Sequence, residues 1–470
     1  MEAYRSVQEA AAGAGGIPEL DGELTLAPEA RAAAAGDFGG LPHGHPSFVL
    51  RPGSADDVAA MLRYCRDNRI PVAPRGQGHS TFGQAQAPGG LVVDTGTLDS
   101  IHLDGDTAVV GAGARWSELV RATLAQGRTP PVLTDYLELS VGGTLSVGGL
   151  GGAAHQHGAQ TDTVTELEVV TGSGRRTVCS PDREPGLFRA VLAGLGQCAV
   201  ITRATLRLAP APETVRRYRI PHSSATALTA TQRRLIRSGA FSYVEGQAHP
   251  DAELPEGWRY TLEAVSPLSG APGGEEELAG LGCRPGPDEV EDLPYLDFAD
   301  RMAPDVAYLE SVGAWHDPHP WWNAFLPDST VDAAVPETMA GLRPADVGPT
   351  GMALLYPLFR DRLHTPLLRV PDEPVVFLFS LLRTATPEPG VPSSQEMVRA
   401  NRALYERVRA HGGVQYPVGS IPMETRDWRE HFGERWPLLA EAKREHDPAS
   451  VLTPGQGIFP GSEGSAPAPE

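Results

Sequence analysis

Apolar positions in the first half of the chain change period repeatedly. Val58, Met61, Leu62 and Cys65 recur at helical spacing up to about Asn68. Ser54 stands where an N-cap belongs, with Asp57 three residues on, as in a capping box. A brief apolar strand at 46–52 precedes this helix, and strands at 70–73, 91–94 and 108–111 follow it. Trp116, Leu119, Val120 and Leu124 line one face of a second helix, and Leu187, Val191 and Leu192 mark a third. Between them, 166–171 and 177–179 read as a hairpin around Gly172 and Gly174. Val200, Thr202, Ala204, Leu206 and Leu208 alternate as a strand does, until Ala209-Pro-Ala-Pro212 breaks the pattern.

Beyond that break the period changes. Strands are predicted at 242–246, 258–265 and 374–382, and a helix at 394–411 with Val398, Leu404 and Val408 among its apolar positions. Residues 266–292, rich in Pro, Gly and Glu, read as an exposed excursion, and 318–323 as an aromatic turn. Trp428, Phe432 and Trp436 lead into a helix that Asp447-Pro448 stops, and 453–456 makes a tight turn. Residues 1–45, rich in Ala and Gly, read as an irregular arm with one helix, and 461–470 as disordered by composition. The mixture predicts an α+β or α/β fold, with a domain boundary at 209–212.

Composition narrows the function. At 470 residues the chain can bury the cores of two domains or three. With 59 acidic against 39 basic residues the net charge is −20, which disfavours nucleic acid or an anionic membrane as partner. No apolar run is long enough to span a bilayer, and no secretory signal is visible, so a cytoplasmic protein is expected. Cys65, Cys179, Cys198 and Cys283 form no CxxC pair, and no carboxylate spacing joins His155 and His157 into a metal site.

Two glycine-rich stretches carry the candidate chemistry. Residues 74–84, PRGQGHSTFGQ, set Gly76, Gly78 and Gly83 among Arg75, His79 and two hydroxyls. Residues 133–152, LTDYLELSVGGTLSVGGLGG, hold so many glycines that a stable helix is not expected, each interior glycine costing roughly 1 kcal/mol against alanine. Such loops can wrap a diphosphate with backbone N–H groups, and can equally be plain turns and crossovers. Gly111-Ala-Gly-Ala114 lacks the third glycine of a dinucleotide fingerprint and no acidic residue ends a second strand beyond it, which argues against nicotinamide binding.

In order along the chain, PRGxGHSxxGQ (74–84), TDYLxLxVGGTLSxxG (134–149), HGxQ (157–160), ELxVVTGxG (166–174), YVEG (243–246), YLDF (295–298), PHPWxN (318–323), HFGxxW and DPxxxLxPGQxIF resemble the vanillyl-alcohol-oxidase, or PCMH-type, FAD-dependent oxidoreductases. Within these the chain is most similar to cytokinin dehydrogenases. The resemblance implies FAD held by Arg75, Gly76, Gln77, Gly78, His79, Ser80, Gln84, Asp135, Ser140, Gly143, Ser146, Leu150, Val200, Thr453 and Gln456. It implies one covalent bond, from His79 to the flavin 8α carbon, since 136–140 has no cysteine for a second. The resemblance implies an α+β fold in two domains: 1–212 holds FAD, 213–429 is an antiparallel sheet with helices on one side that caps the flavin, and 430–460 returns to the first domain.

The resemblance also gives Asp135 the catalytic role: it accepts a hydrogen bond from a substrate amine as hydride leaves for flavin N5, and the imine formed is hydrolysed. Trp321 and Asn323 would line the substrate cavity, with Glu245 a cavity or ion-pair residue. The implied reaction is cleavage of an N6-isoprenyl adenine side chain, with O2 or a quinone as electron acceptor. Oxidation of another amine or an alcohol keeps the same fold, and a binding module with structural FAD is the alternative of a different class. Gln77 stands where an arginine is frequent, Trp322 replaces a smaller aliphatic, and Tyr416 has no assigned place.

Overall fold

The computed structural model describes residues 16–254, 257–268, 274–283 and 285–459. The start of the predicted arm and the predicted tail 461–470 lie outside these. Three large sheets organise the described residues, and a fourth pairs only Arg128–Thr129 with Ala209–Pro210. The first has four strands in the order Glu23–Thr25, Phe48–Arg51, Leu91–Asp94, Val72–Arg75, the last two pairings being parallel. Helix Ala55–Asn68 buries Val58, Met61, Leu62 and Cys65 completely against it, as their spacing predicts. Ser54 caps the helix by accepting from the Asp57 N–H. Asp57 does not complete a capping box. Its carboxylate accepts from the N–H groups of Asp21, Gly22 and Gly53 at 2.9, 2.8 and 2.7 Å, fastening the N-terminal arm to the helix. The strand expected from residue 70 begins at Val72, because Arg69 closes the helix in the left-handed region at φ +54°.

The second sheet is antiparallel with five strands, in the order Ile101–Asp104, Thr107–Gly111, Ala199–Arg207, Val164–Thr171, Arg176–Cys179. It contains the expected hairpin and the expected alternating strand. The third is an antiparallel sheet of eight strands drawn from residues 214 to 415. Helices Ala225–Ser238, Asp328–Ala340 and Ser394–Ala410 cover one face, over Trp322, Ala324, Phe377 and Phe379. Alternate residues of the same strands, among them Phe325, Tyr356 and Leu378, point the other way and pack with Leu150, Ala154, Trp428 and Phe432. That face carries the candidate site. After helix Trp436–His446 the chain returns to the first sheet, where Leu452 bridges Val72.

Three predicted loops hold regular structure. The glycine-rich stretch contains a helix, Val141–Leu145, which tertiary packing stabilises despite its glycines: a β-carbon on Gly142 would come within 2.7 Å of Ala112 Cβ, so glycine allows the close approach. The exposed excursion contains helix Gly274–Gly280, anchored by fully buried Leu278, and the edge strand Val290–Pro294. The aromatic turn is short, because Trp322 already begins the strand Trp322–Pro327.

Candidate active site

The first glycine loop leaves the end of strand Val72–Arg75. Arg75 donates to Gly36 O at 2.7 Å, and its guanidinium lies under Gly78, where a β-carbon would meet Nη2 at 2.1 Å and where φ is +67°. Among the described residues, nothing accepts from the N–H groups of Gly76, Gln77, Gly78, His79 or Ser80. The second glycine loop meets the first at Ser140. A β-carbon on Gly76 would fall 1.9 Å from Ser140 Oγ, and one on Gly143 would fall 2.8 Å from it. Backbone donors converging where side chains are excluded match the demand of a diphosphate. Gln160 Oε1 and Gln456 Oε1 are buried without partners, as acceptors waiting for a ligand's donors would be. These features fit FAD.

The remaining cofactor candidates are placed as follows. Ser146 donates to Gly142 O at 2.7 Å, and Thr453, at φ +49°, donates to Gly196 O at 2.8 Å. Leu150 and Val200 are buried, whereas Gln77 is exposed. Gln84 accepts from the Phe82 N–H at 2.7 Å and donates to Gly419 O at 3.4 Å. The preceding segment supports the loop: Asp37 accepts from the Gly83 N–H at 2.7 Å and from Ser80 Oγ at 3.3 Å. Burial raises the Asp37 carboxyl to about 6.

His79 sits in an aromatic cage. Its ring stacks on Phe38 at 3.9 Å and lies 4.9 Å from Tyr136 and 5.7 Å from Trp321. Burial, with His319 nearby, pushes its pKa down to about 3, so the imidazole is neutral at ordinary pH. A neutral ring nitrogen keeps the lone pair a nucleophile needs.

Tyr136 of that cage is the chain neighbour of Asp135. Asp135 Oδ1 accepts from Tyr243 Oη at 2.6 Å and from Arg301 Nη2 at 2.7 Å, and Oδ2 accepts from Tyr356 Oη. Tyr243 also contacts Glu245 Oε2. A phenol has one proton, and here its oxygen also accepts from Arg301. It can donate to only one of the two carboxylates, so the other contact needs a carboxyl proton. Glu245 is the group that supplies it: burial, then the nearby Asp135 charge, raise its pKa to about 8. Gln247 donates to its other oxygen at 2.8 Å. Glu245 is thus built into the charged cluster and only 2 % exposed.

Tyr243, Tyr356, Arg301 and Glu263 are the members that sequence reasoning missed. Tyr243 and Arg301 lie in or just after the quoted YVEG and YLDF segments. Glu263 had no signal beyond sitting in a strand, where it is the register partner of Glu245.

Asn323 occupies the same sheet face, in a row in which Gln247 pairs with Leu354, Leu354 with Ser380, and Ser380 with Asn323. Its Nδ2 is buried without a partner. Trp321 belongs to the His79 cage, while Trp322 is fully buried in the core on the helix side. Tyr416 accepts from the Gly149 N–H at 3.2 Å, joining the last strand to the second glycine loop.

Comparison with known proteins agrees with this architecture. Residues 46–180 match the FAD binding domain family, and residues 275–459 match the family described as cytokinin dehydrogenase 1, FAD and cytokinin binding. The chain is 38 % identical to cytokinin dehydrogenase 10 of Oryza sativa subsp. japonica, over 92 % of this chain and 88 % of that protein. It is 39 % identical to an uncharacterised oxidoreductase of the Rhodococcoides fascians fasciation locus, over 90 % of this chain and 96 % of that one. In fold it resembles 6-hydroxy-D-nicotine oxidase from Arthrobacter nicotinovorans, with a TM-score of 0.73 at 23 % identity, covering 94 % of this chain and 99 % of that one. No helix among the described residues is long and apolar enough to cross a membrane. The protein is an FAD-dependent oxidoreductase of the PCMH-type superfamily and belongs to the cytokinin dehydrogenase family.

Proposed function

We propose that the enzyme oxidises a secondary amine, and that the amine is an N6-isoprenyl adenine whose side chain is cleaved. The observation that carries this reading is the Asp135 carboxylate, which accepts from three donors and whose chain neighbour Tyr136 packs against His79. FAD bound across the two glycine loops would supply the hydride acceptor. Asp135 has an acceptor position left to take the substrate N–H and stabilise positive charge on nitrogen as the adjacent C–H bond breaks. The substrate loses a hydride and a proton, and water then splits the resulting imine into amine and aldehyde. Asn323 Nδ2, a buried donor without a protein partner, would offer a hydrogen bond to the heterocycle, and the Trp321 indole a stacking surface.

The same reading includes the tether from a His79 ring nitrogen to the flavin 8α carbon, re-oxidation by O2 or a quinone, a domain junction near residue 212 and a return from about residue 430. It is tested by mixing the enzyme anaerobically with isopentenyladenine. Bleaching of the flavin with formation of adenine is expected. A flavin that stays yellow with every N6-substituted adenine overturns the substrate class.

A further inference from the structure

Arg301 is a cation that no cofactor or substrate role accounts for, and its surroundings are too specific for filler. It follows helix Tyr295–Ala299 and reaches a carboxylate 166 residues away in sequence. The guanidinium lies against a pair of rings, with Cζ 4.8 Å from the centroids of both Tyr243 and Phe298, which themselves meet edge to face at 5.1 Å. Its edge faces three acidic side chains: Nη2 is 2.7 Å from Asp135 Oδ1 and 3.2 Å from Glu245 Oε2, and Nε is 2.9 Å from Glu263 Oε1. Behind it, Arg217 Nε donates to Glu263 Oε2 at 2.9 Å. Only a planar, multi-donor fork fits this arrangement, and a lysine ammonium could not serve all three acids at once.

We propose that Arg301 is a positioning residue for amine oxidation: it fixes the charge and the aim of the Asp135 carboxylate, and Glu263 with Arg217 fixes Arg301. The assignment rests on the role given to Asp135 above. An ionised carboxylate offers about four acceptor positions. Tyr243, Tyr356 and Arg301 occupy three of them, so the direction left for a substrate N–H is set by these partners. The groups facing Asp135 are Tyr243 and Glu245 from one strand, Tyr356 from another, and Arg301, with Glu263 and Arg217 behind it. On its own segment Glu138 is paired with Arg115. Among the described residues Arg301 is the cation in contact with Asp135, and its loss removes both the facing positive charge and one of the three donors that aim the carboxylate.

The test is the pH profile of kcat/KM for flavin reduction, with flavin content measured by absorbance. Arg301→Gln is expected to keep its flavin and to shift the acidic limb up by at least one pH unit, which is about tenfold in the fraction ionised. Activity then recovers as pH rises, and Arg301→Lys falls between. Glu263→Gln removes a negative charge from the far side of Arg301, and the limb moves to lower pH. An unmoved limb in Arg301→Gln, or a shift of both variants in one direction, overturns the assignment. If Arg301→Gln does not fold, an upward or absent shift in Glu263→Gln overturns it. Titration of the Asp135 carboxyl 13C resonance, identified by its loss in Asp135→Asn, reads the same shifts without substrate. A wild type inert to N6-substituted adenines thus defeats the substrate reading, while the 13C titration still decides Arg301.

Discussion

Phe38 stacks on the His79 ring at a centroid distance of 3.9 Å and, at the same distance, on His319. One side chain from the N-terminal arm thus joins the loop bearing the proposed tether to the segment bearing Trp321. Removing it should let water reach His79 and bring the imidazole back toward its ordinary proton affinity. Phe38→Ala is expected to lower covalent flavin several-fold at pH 6 and less at pH 8. The readout is yellow colour retained by acid-precipitated protein. Complete release of FAD from the wild type would defeat the tether itself.

Stability should peak near neutrality. Burial lowers His431 to about 3 and His319 to about 4, from an unfolded value near 6.5. Between those values the unfolded chain binds more protons, so these histidines remove stability as pH falls below about 6.5. Glu245 and Asp37 act oppositely, because burial raises them to about 8 and about 6 from 4.5 and 3.8. Their protonated native forms add stability as pH falls from about 8. Urea midpoints are expected to be highest between about pH 6 and 7. A midpoint rising steadily from pH 5 to 9 would rule this balance out.

What was legible in the sequence follows from distance along the chain. Helix Ala55–Asn68 and the hairpin strands Val164–Thr171 and Arg176–Cys179 declare themselves, because period and cap lie within a few residues. His79 and Asp135 were legible as motif members. The partners that set the state of Asp135 were not. Arg301, Tyr356 and Glu263 come from separate elements, and each reads locally as an ordinary polar position. The helix Val141–Leu145 was missed for the same reason, since its glycines look unfavourable until Ala112 is seen against Gly142.

The C-terminal return depends on one buried ion pair. Lys443 Nζ lies 2.7 Å from Asp447 Oδ2 and also donates to Gln197 O and Leu452 O. Asp447 accepts in turn from the N–H groups of Val451 and Leu452. Lys443→Met leaves a carboxylate with no exposed surface and no countercharge. A loss of about 3–5 kcal/mol is expected from urea unfolding. A loss under about 1 kcal/mol would mean that the backbone donors alone hold Asp447.

The convergence of the glycine loops on Ser140 gives a test with an internal rescue. Gly76→Ala puts a β-carbon 1.9 Å from Ser140 Oγ, far inside contact distance, so one loop has to move. Moving either one spoils the row of N–H donors at Gly76–Ser80. The single variant is expected to fold with the wild-type circular dichroism and to carry less than a tenth of the flavin, measured by absorbance at 450 nm per chain. Adding Ser140→Gly removes the obstructing hydroxymethyl group, and the double variant should regain most of its FAD. Ser140→Gly alone removes that hydroxymethyl group while leaving both backbones in place, so its flavin content should fall only modestly. If Gly76→Ala binds FAD normally, the loops do not meet at the cofactor. If the double variant stays empty, Gly76 is needed for its backbone freedom and not for the space beside Ser140.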